Sequence, residues 1–262
     1  METGLRGRVA IVAASSQGIG CAASHAFAAE GARVAMCARN EKGLTAAADE
    51  IRARYHSEVF AQPLDVTDSA GIAAFVEAVV HQFGGVDICV TNAGGPPAKN
   101  FLSTTSEEWQ KAAELNFLSV VHFARAVIPY MQRKRWGRLV TITSVAVKQP
   151  IADLVLSNAV RSAVVGLVKS LANEFGKDGV TINNVAPGYT MTGRLEQLAA
   201  TRALAAGVTV QEITKRWEAE IPLRRIARPE EVADAILWLA SERASYITGQ
   251  TILVDGGACR GI

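Results

Sequence analysis

The chain has 262 residues, 49% of them hydrophobic and only 6% aromatic, with a formal net charge of +2. That length allows one large α/β domain or two smaller ones, and the aliphatic composition suits a buried parallel sheet. A charge balance so near neutral gives no reason to expect nucleic acid or an acidic membrane as a partner, and the basic run Arg133–Arg135 reads as a solvated helix end. No apolar run approaches a membrane span, and Met1–Gly7 is too short and polar for a signal peptide. The four cysteines, Cys21, Cys37, Cys89 and Cys259, have neither metal-ligand nor redox spacing. A soluble cytoplasmic protein without a metal is expected.

Val9–Val12 is a short β-branched run without polar alternation, as in a strand buried on both faces. The small residues Ser15 and Ser16 follow, then Gly18-Ile19-Gly20 and an alanine-rich helix over Cys21–Glu30. Strand, glycine turn and helix N-terminus in that order form an anion site, because the turn lets backbone approach a pyrophosphate and the helix end offers free N–H groups. Gly31 closes the helix, Arg33–Cys37 is a second strand, and Lys42–Tyr55 a helix with Leu44, Ala47, Ala48, Ile51 and Tyr55 on one face. Val59–Leu64 is a third strand. Asp68 or Ser69 caps a helix striped by Ile72, Phe75, Val76, Val79 and Phe83 that ends at Gly84-Gly85. Val86–Val90 is strand four, and Ser106 opens a long helical region through Asn116 toward Met131. Arg138–Thr143 is strand five, Leu154–Phe175 a helix, Val180–Val185 strand six, Pro229–Ala240 a helix and Thr251–Val254 strand seven. The alternation predicts one doubly wound α/β domain of Rossmann type over residues 1–262, with a parallel sheet.

Residues 190–222 interrupt that alternation with two helices. Thr209–Glu212 fits a capping box, and Val210, Ile213, Trp217 and Ile221 then share a face. The insertion follows the C-terminal end of a strand, where open α/β sheets bind ligands, so a substrate lid is expected. For the nucleotide, an acid is typical at the end of the second strand when NAD binds. Ala38 stands there, with Arg39 beside it, and a guanidinium can fork onto a 2′-phosphate. NADP(H) is the expected cofactor, with NAD(H) as the alternative.

These residues resemble the short-chain dehydrogenase/reductase family over nearly the whole chain, 3-oxoacyl-acyl-carrier-protein reductases in particular. Gly18-Ile19-Gly20 is similar to the end of the family's Thr-Gly-x-x-x-Gly-x-Gly turn, with Ala13 and Ala14 in place of Thr-Gly. The resemblance implies that Asp65, with Val66, touches the adenine and that Asn92-Ala93-Gly94 supports the ribose. It implies that Asn116 holds a water for proton relay, and that Pro187-Gly188 with Thr190 and Thr192 grips the nicotinamide amide. It also implies seven strands in the order 3-2-1-4-5-6-7, a small-molecule carbonyl or alcohol substrate, and a homotetramer or homodimer. The stripe Ala159, Ala163, Gly166 and Ser170 would supply a close-packed dimer helix.

The family's active site pairs a serine with a Tyr-x-x-x-Lys motif about thirteen residues later. Ser144 is in place, but the motif positions hold Ser157 and Arg161. The tyrosines, Tyr55, Tyr130, Tyr189 and Tyr246, all lie elsewhere. An aliphatic hydroxyl, with a pKa nearer water's roughly 15.7 than tyrosine's about 10, is a poor proton donor by itself. Arg161 stays charged and can still hold ribose hydroxyls or stabilise an alkoxide. Ser144, Ser157, Arg161 and Asn116 are therefore the catalytic candidates, with Lys148 and Tyr189 as pocket candidates. A ketone/alcohol oxidoreductase is expected; a nucleotide-binding protein without redox turnover and a dehalogenase-like lyase are the competing readings.

Overall fold

β1 (Val9–Ala13) is buried at every position, so its pleat sends Ala10 and Val12 into one core and Val9, Ile11 and Ala13 into another. The computed structural model in which this is seen describes residues 2–261; Met1, the first residue of the N-terminal segment read above, and Ile262 lie outside the described residues. In chain order there follow α1 (Gly18–Ala29), β2 (Arg33–Ala38), α2 (Glu41–Tyr55), β3 (Val59–Pro63), α3 (Ser69–Phe83) and β4 (Ile88–Thr91). Then come α4 (Ser106–Ala113), α5 (Ser119–Lys134), β5 (Gly137–Ile142), α6 (Val155–Phe175) and β6 (Val180–Pro187). The chain ends with α7 (Gly193–Ala206), α8 (Val210–Glu220), α9 (Pro229–Ala240) and β7 (Thr251–Val254). The strands form one seven-stranded parallel sheet in the order β3-β2-β1-β4-β5-β6-β7, as the resemblance implies.

Helices cover both faces. Phe27, Leu44, Ile51 and Ile236 from α1, α2 and α9 fill one core; Ile72, Phe75, Phe123, Met131 and Val164 from α3, α5 and α6 fill the other. Local signals set the helix ends. Asp68 accepts from the Gly71 N–H at the start of α3, and Gly84 leaves that helix with φ 79°, a left-handed conformation that costs glycine nothing.

Three expectations need correction. The long helical region from Ser106 forms without a break, but not as regular α-helix throughout: a π-helical turn, Glu114–Leu118, joins α4 to α5. Such turns occur mostly as single π-bulges inside α-helices, often at functional sites, and this one holds the buried Asn116. Of the four residues expected to share one face here, Ile213, Trp217 and the C-cap residue Ile221 are buried, but Val210, the first residue of α8, is 45% exposed. Finally, Val155–Asp178 is long and apolar enough by length and composition to cross a membrane. In this fold it packs on the sheet-facing core through Val164 and Val168, sets Val160 against Ala112 of α4, and carries the buried Arg161.

Candidate active site

The sheet's C-terminal ends open onto a cavity of about 530 Å³ lined from β1, β4, β5, β6, α6, α7 and the C-terminal segment. The crevice lies where the strand order reverses between β1 and β4, and Asn92 bridges it by donating Nδ2–H to the Ala14 carbonyl at 3.4 Å. Gly18 turns the chain at φ +60°, and α1 begins without a side-chain cap from Gln17, so its first N–H groups face the crevice. A Cβ on Gly20 would stand 2.5 Å from the Ala14 carbonyl oxygen, so helix and strand meet there only because the residue is glycine. This cradle fits a pyrophosphate. Arg39 lies at the end of β2 with 73% of its side chain exposed, 3.9 Å from Asp65. The Thr67 backbone N–H, then the Thr67 hydroxyl and Arg39, hold the Asp65 carboxyl below its ordinary range.

Of the expected residues, Ser15, Ser16, Gly20, Arg39, Asp65, Val66, Asn116 and Lys148 are not part of the cavity lining, and two of them point elsewhere. Ser15 is fully buried, its N–H and hydroxyl both directed to the Cys37 carbonyl of β2, so it staples the sheet rather than meeting a phosphate. Lys148 is exposed on the 3-10 turn after Ser144, outside the cavity lining, because that turn carries its side chain outward. Ser16 is half-buried at the turn and Val66 is buried behind the rim. Ile19, Ala93, Gly94, Pro187, Gly188, Thr190 and Thr192 line the cavity, Thr192 also capping α7.

Ser144 and Ser157 line the same cavity, and Ser144 Oγ accepts from the Ala146 N–H at 3.2 Å. Ser157 and Arg161 are one helical turn apart, on one face of α6. The hydroxyl of Ser157, 8% exposed, opens on the cavity, whereas that of Ser162 is tied back to the Asn158 carbonyl. Arg161 is 7% exposed and fans out onto backbone: Nη1 donates to the carbonyls of Ile142 at 3.2 Å and Thr143 at 3.0 Å, and Nη2 to Gly94 at 3.4 Å. Burial pushes its pKa down to about 10, with the nearby Arg194 adding repulsion, and it remains charged at any working pH. Asn116, held in the π-helical turn, also donates to the Gly94 carbonyl, at 2.7 Å. Its buried Oδ1 has no hydrogen-bond partner among the described residues. A water or ligand hydroxyl suits such an acceptor.

Tyr189 lines the cavity, but its ring stacks on Trp217 at 4.8 Å and 12°, and burial raises its pKa above the ordinary phenol. It walls the cavity and stays protonated. Sequence reasoning missed Arg194 and Arg260, which line the cavity from α7 and the C-terminal segment. Arg194 had one local signal, a cation in the first turn of a helix, where the dipole favours anions.

Residues 13–259 match the family model described as enoyl-(acyl carrier protein) reductase. The chain is 36% identical over 251 residues to the 3-oxoacyl-acyl-carrier-protein reductase FabG of Escherichia coli, covering 96% of this chain and 97% of that enzyme. It is similar to the L-sorbose reductase of Gluconobacter frateurii, solved in complex with NADPH and L-sorbose, with a TM-score of 0.95 at 32% identity over 100% of both chains. It is also similar to the NADPH-bound short-chain oxidoreductase of Pseudomonas aeruginosa PAO1, described as containing an atypical catalytic center, with a TM-score of 0.90 at 35% identity over 97% of this chain and 98% of that one. With that match spanning almost its full length, the chain belongs to the short-chain dehydrogenase/reductase family.

Proposed function

We propose that this oxidoreductase interconverts a ketone and a secondary alcohol with NADP(H), through a centre in which Ser157 and Arg161 take the places of a tyrosine and a lysine. The carrying observation is that Arg161 is buried at the strand ends while Ser157, one turn earlier, opens on the cavity shared with Ser144 and Gly188. When bound, the dinucleotide supplies or takes up the hydride. The hydroxyls of Ser144 and Ser157 donate to the keto oxygen, and the fixed charge of Arg161 stabilises the alkoxide that develops there. Ser157 is too weak an acid to give up its proton unaided, so the proton reaches the oxygen from solvent across the Ser157 hydroxyl, with a water at Asn116 Oδ1. Residues 190–222 form the lid of a single domain, α7 covering the cavity through Leu195 and Leu198 and α8 reaching it at Glu220. The unpaired thiols agree with a reducing cytosol.

NADPH oxidation followed across a panel of ketones tests this reading. Turnover is expected in the wild type and should fall about 10²-fold in Ser157→Ala; a rate unchanged by that substitution removes Ser157 from the centre. Arg39→Asp should weaken NADPH binding by about 10- to 100-fold, the worth of a charge-assisted contact, and leave NADH binding intact. Fluorescence titration with both cofactors reads this directly. The exposed stripe of Ala159, Ala163, Gly166 and Ser170 on α6 supports assembly as a homodimer or homotetramer, and sedimentation as a monomer would remove that assignment.

A further inference from the structure

Three arginines from separate parts of the chain converge on the cavity: Arg161 from α6, Arg194 from α7 and Arg260 from the C-terminal segment. Among the described residues the only carboxylate lining it is that of Glu220, so their charged side chains are two positive charges in excess. Arg161 is spent on backbone carbonyls, as described above. Arg194 is placed differently. Its Nη2 donates to the Pro96 carbonyl at 2.5 Å, and its guanidinium lies against Gly95, where a Cβ would meet Nε at 3.0 Å. Among the described residues no carboxylate lies within salt-bridge distance of it. It shares the strip Gly94–Pro96 with Arg161, whose Nη2 reaches the Gly94 carbonyl. Two residues of chain span at most about 7 Å, so two guanidinium groups sit side by side over one short loop. Arg194 also stands in the first turn of α7, where the helix dipole opposes a cation.

Like charge, adverse dipole and a guanidinium with no carboxylate partner among the described residues together describe a group arranged for an anion. Arg260 is held over the same cavity, its backbone N–H bonded to Gln149 Oε1 at 2.8 Å. Between the arginines and the two serines the wall is apolar, with Ile151, Leu154, Leu195 and Leu198. We propose that the ketone turned over here is an oxo acid, whose carboxylate is held by the Arg194 fork with Arg260 beside it, while its keto oxygen faces Ser144 and Ser157. This inference rests on the ketone-reductase reading and names its substrate class. A guanidinium fork also matches phosphate geometry, so an anion at Arg194 has two sources: the substrate carboxylate or the cofactor diphosphate.

Two binding measurements separate the sources. NADPH titrated by fluorescence onto wild type and Arg194→Ala should give affinities within about twofold; a loss of tenfold or more assigns Arg194 to the diphosphate and overturns the proposal. Calorimetry on the protein saturated with NADP⁺ then compares six-carbon oxo acids, differing in the position of the keto group, with their methyl esters. The best-bound acid should bind about 10- to 100-fold tighter than its ester in the wild type. That preference should vanish in Arg194→Ala, return in part in Arg194→Lys, and weaken with added salt. No preference for any acid over its ester overturns the proposal. Binding is read without turnover, so the two readings fail separately. An Arg194-dependent acid that binds without oxidising NADPH keeps the anion site and removes the reductase reading. Neutral ketones reduced with no preference for acids do the reverse.

Discussion

Replacing Arg161 with methionine is expected to lower ketone-dependent NADPH oxidation by about 10²- to 10³-fold, the scale of losing a fixed charge at a developing oxyanion, while folding stability falls by no more than about 3 kcal/mol. Two opposed terms of similar size set that second figure. Burial lowers the guanidinium's pKa from 12.5 to about 10, which at about 1.4 kcal/mol for each factor of ten means roughly 3 kcal/mol of unfavourable desolvation. Against it stand hydrogen bonds from a charged donor to the carbonyls of Ile142 and Thr143, at about 1.5–3 kcal/mol each. Methionine keeps much of the apolar stem and removes both terms at once. Urea midpoints and initial rates on the same preparations give the answer. A protein that loses activity only because it unfolds would show Arg161 to be a structural prop. Arg161→Lys keeps the charge but has no planar fork to span Ile142, Thr143 and Gly94, so it should recover only part of the rate.

Arg161 also marks the boundary between what could be read along the chain and what could not. Its position, one turn after Ser157 and on the same helix face, follows from spacing alone, while the departure from a tyrosine and a lysine follows from the family resemblance. The β/α alternation was equally legible, because each strand is a short aliphatic run and each helix an apolar stripe with its own cap. Asp68 at α3 and the Thr209–Glu212 box at α8 both form as read. The contacts that give Arg161 its meaning were not legible, since its acceptors include Gly94, 67 residues away. Arg194 was missed for the same reason: its partner, Pro96, is 98 residues distant. The π-helical turn holding Asn116 escaped because it spans only Glu114–Leu118, too short a stretch for its single-residue shift to stand out from the α-helical pattern on either side. Ser15 was misassigned because a small polar residue beside a glycine turn reads the same whether it meets a phosphate or pins a neighbouring strand. Only the register of β1 against β2 decides between them.

The turn from β1 into α1 brings Gly20 against Ala14, where the second large effect is expected. Gly20→Ala should destabilise the fold by about 1–3 kcal/mol, and it should cut NADP(H) affinity by at least about 10²-fold. The added methyl would stand 2.5 Å from the Ala14 carbonyl oxygen and 3.0 Å from Asn92 Nδ2. The oxygen belongs to backbone and cannot rotate aside. The first turn of α1 must therefore move away from the strand end, and the N–H groups aimed at the pyrophosphate move with it. Ala14 makes a control of opposite sign. It sits at φ +49°, in the left-handed region that costs alanine about 1–2 kcal/mol and glycine nothing. Ala14→Gly should therefore stabilise by about 0.5–1 kcal/mol after the extra entropy of an unfolded glycine is counted. It should leave the cradle's shape and its NADP(H) affinity unchanged. Calorimetric titration with NADPH and thermal melts on both variants check the pair. Wild-type affinity in Gly20→Ala would move the pyrophosphate away from this turn. A destabilised Ala14→Gly would mean that the methyl of Ala14 is packed rather than strained, and that the turn is ordered by its neighbours instead of by its own backbone.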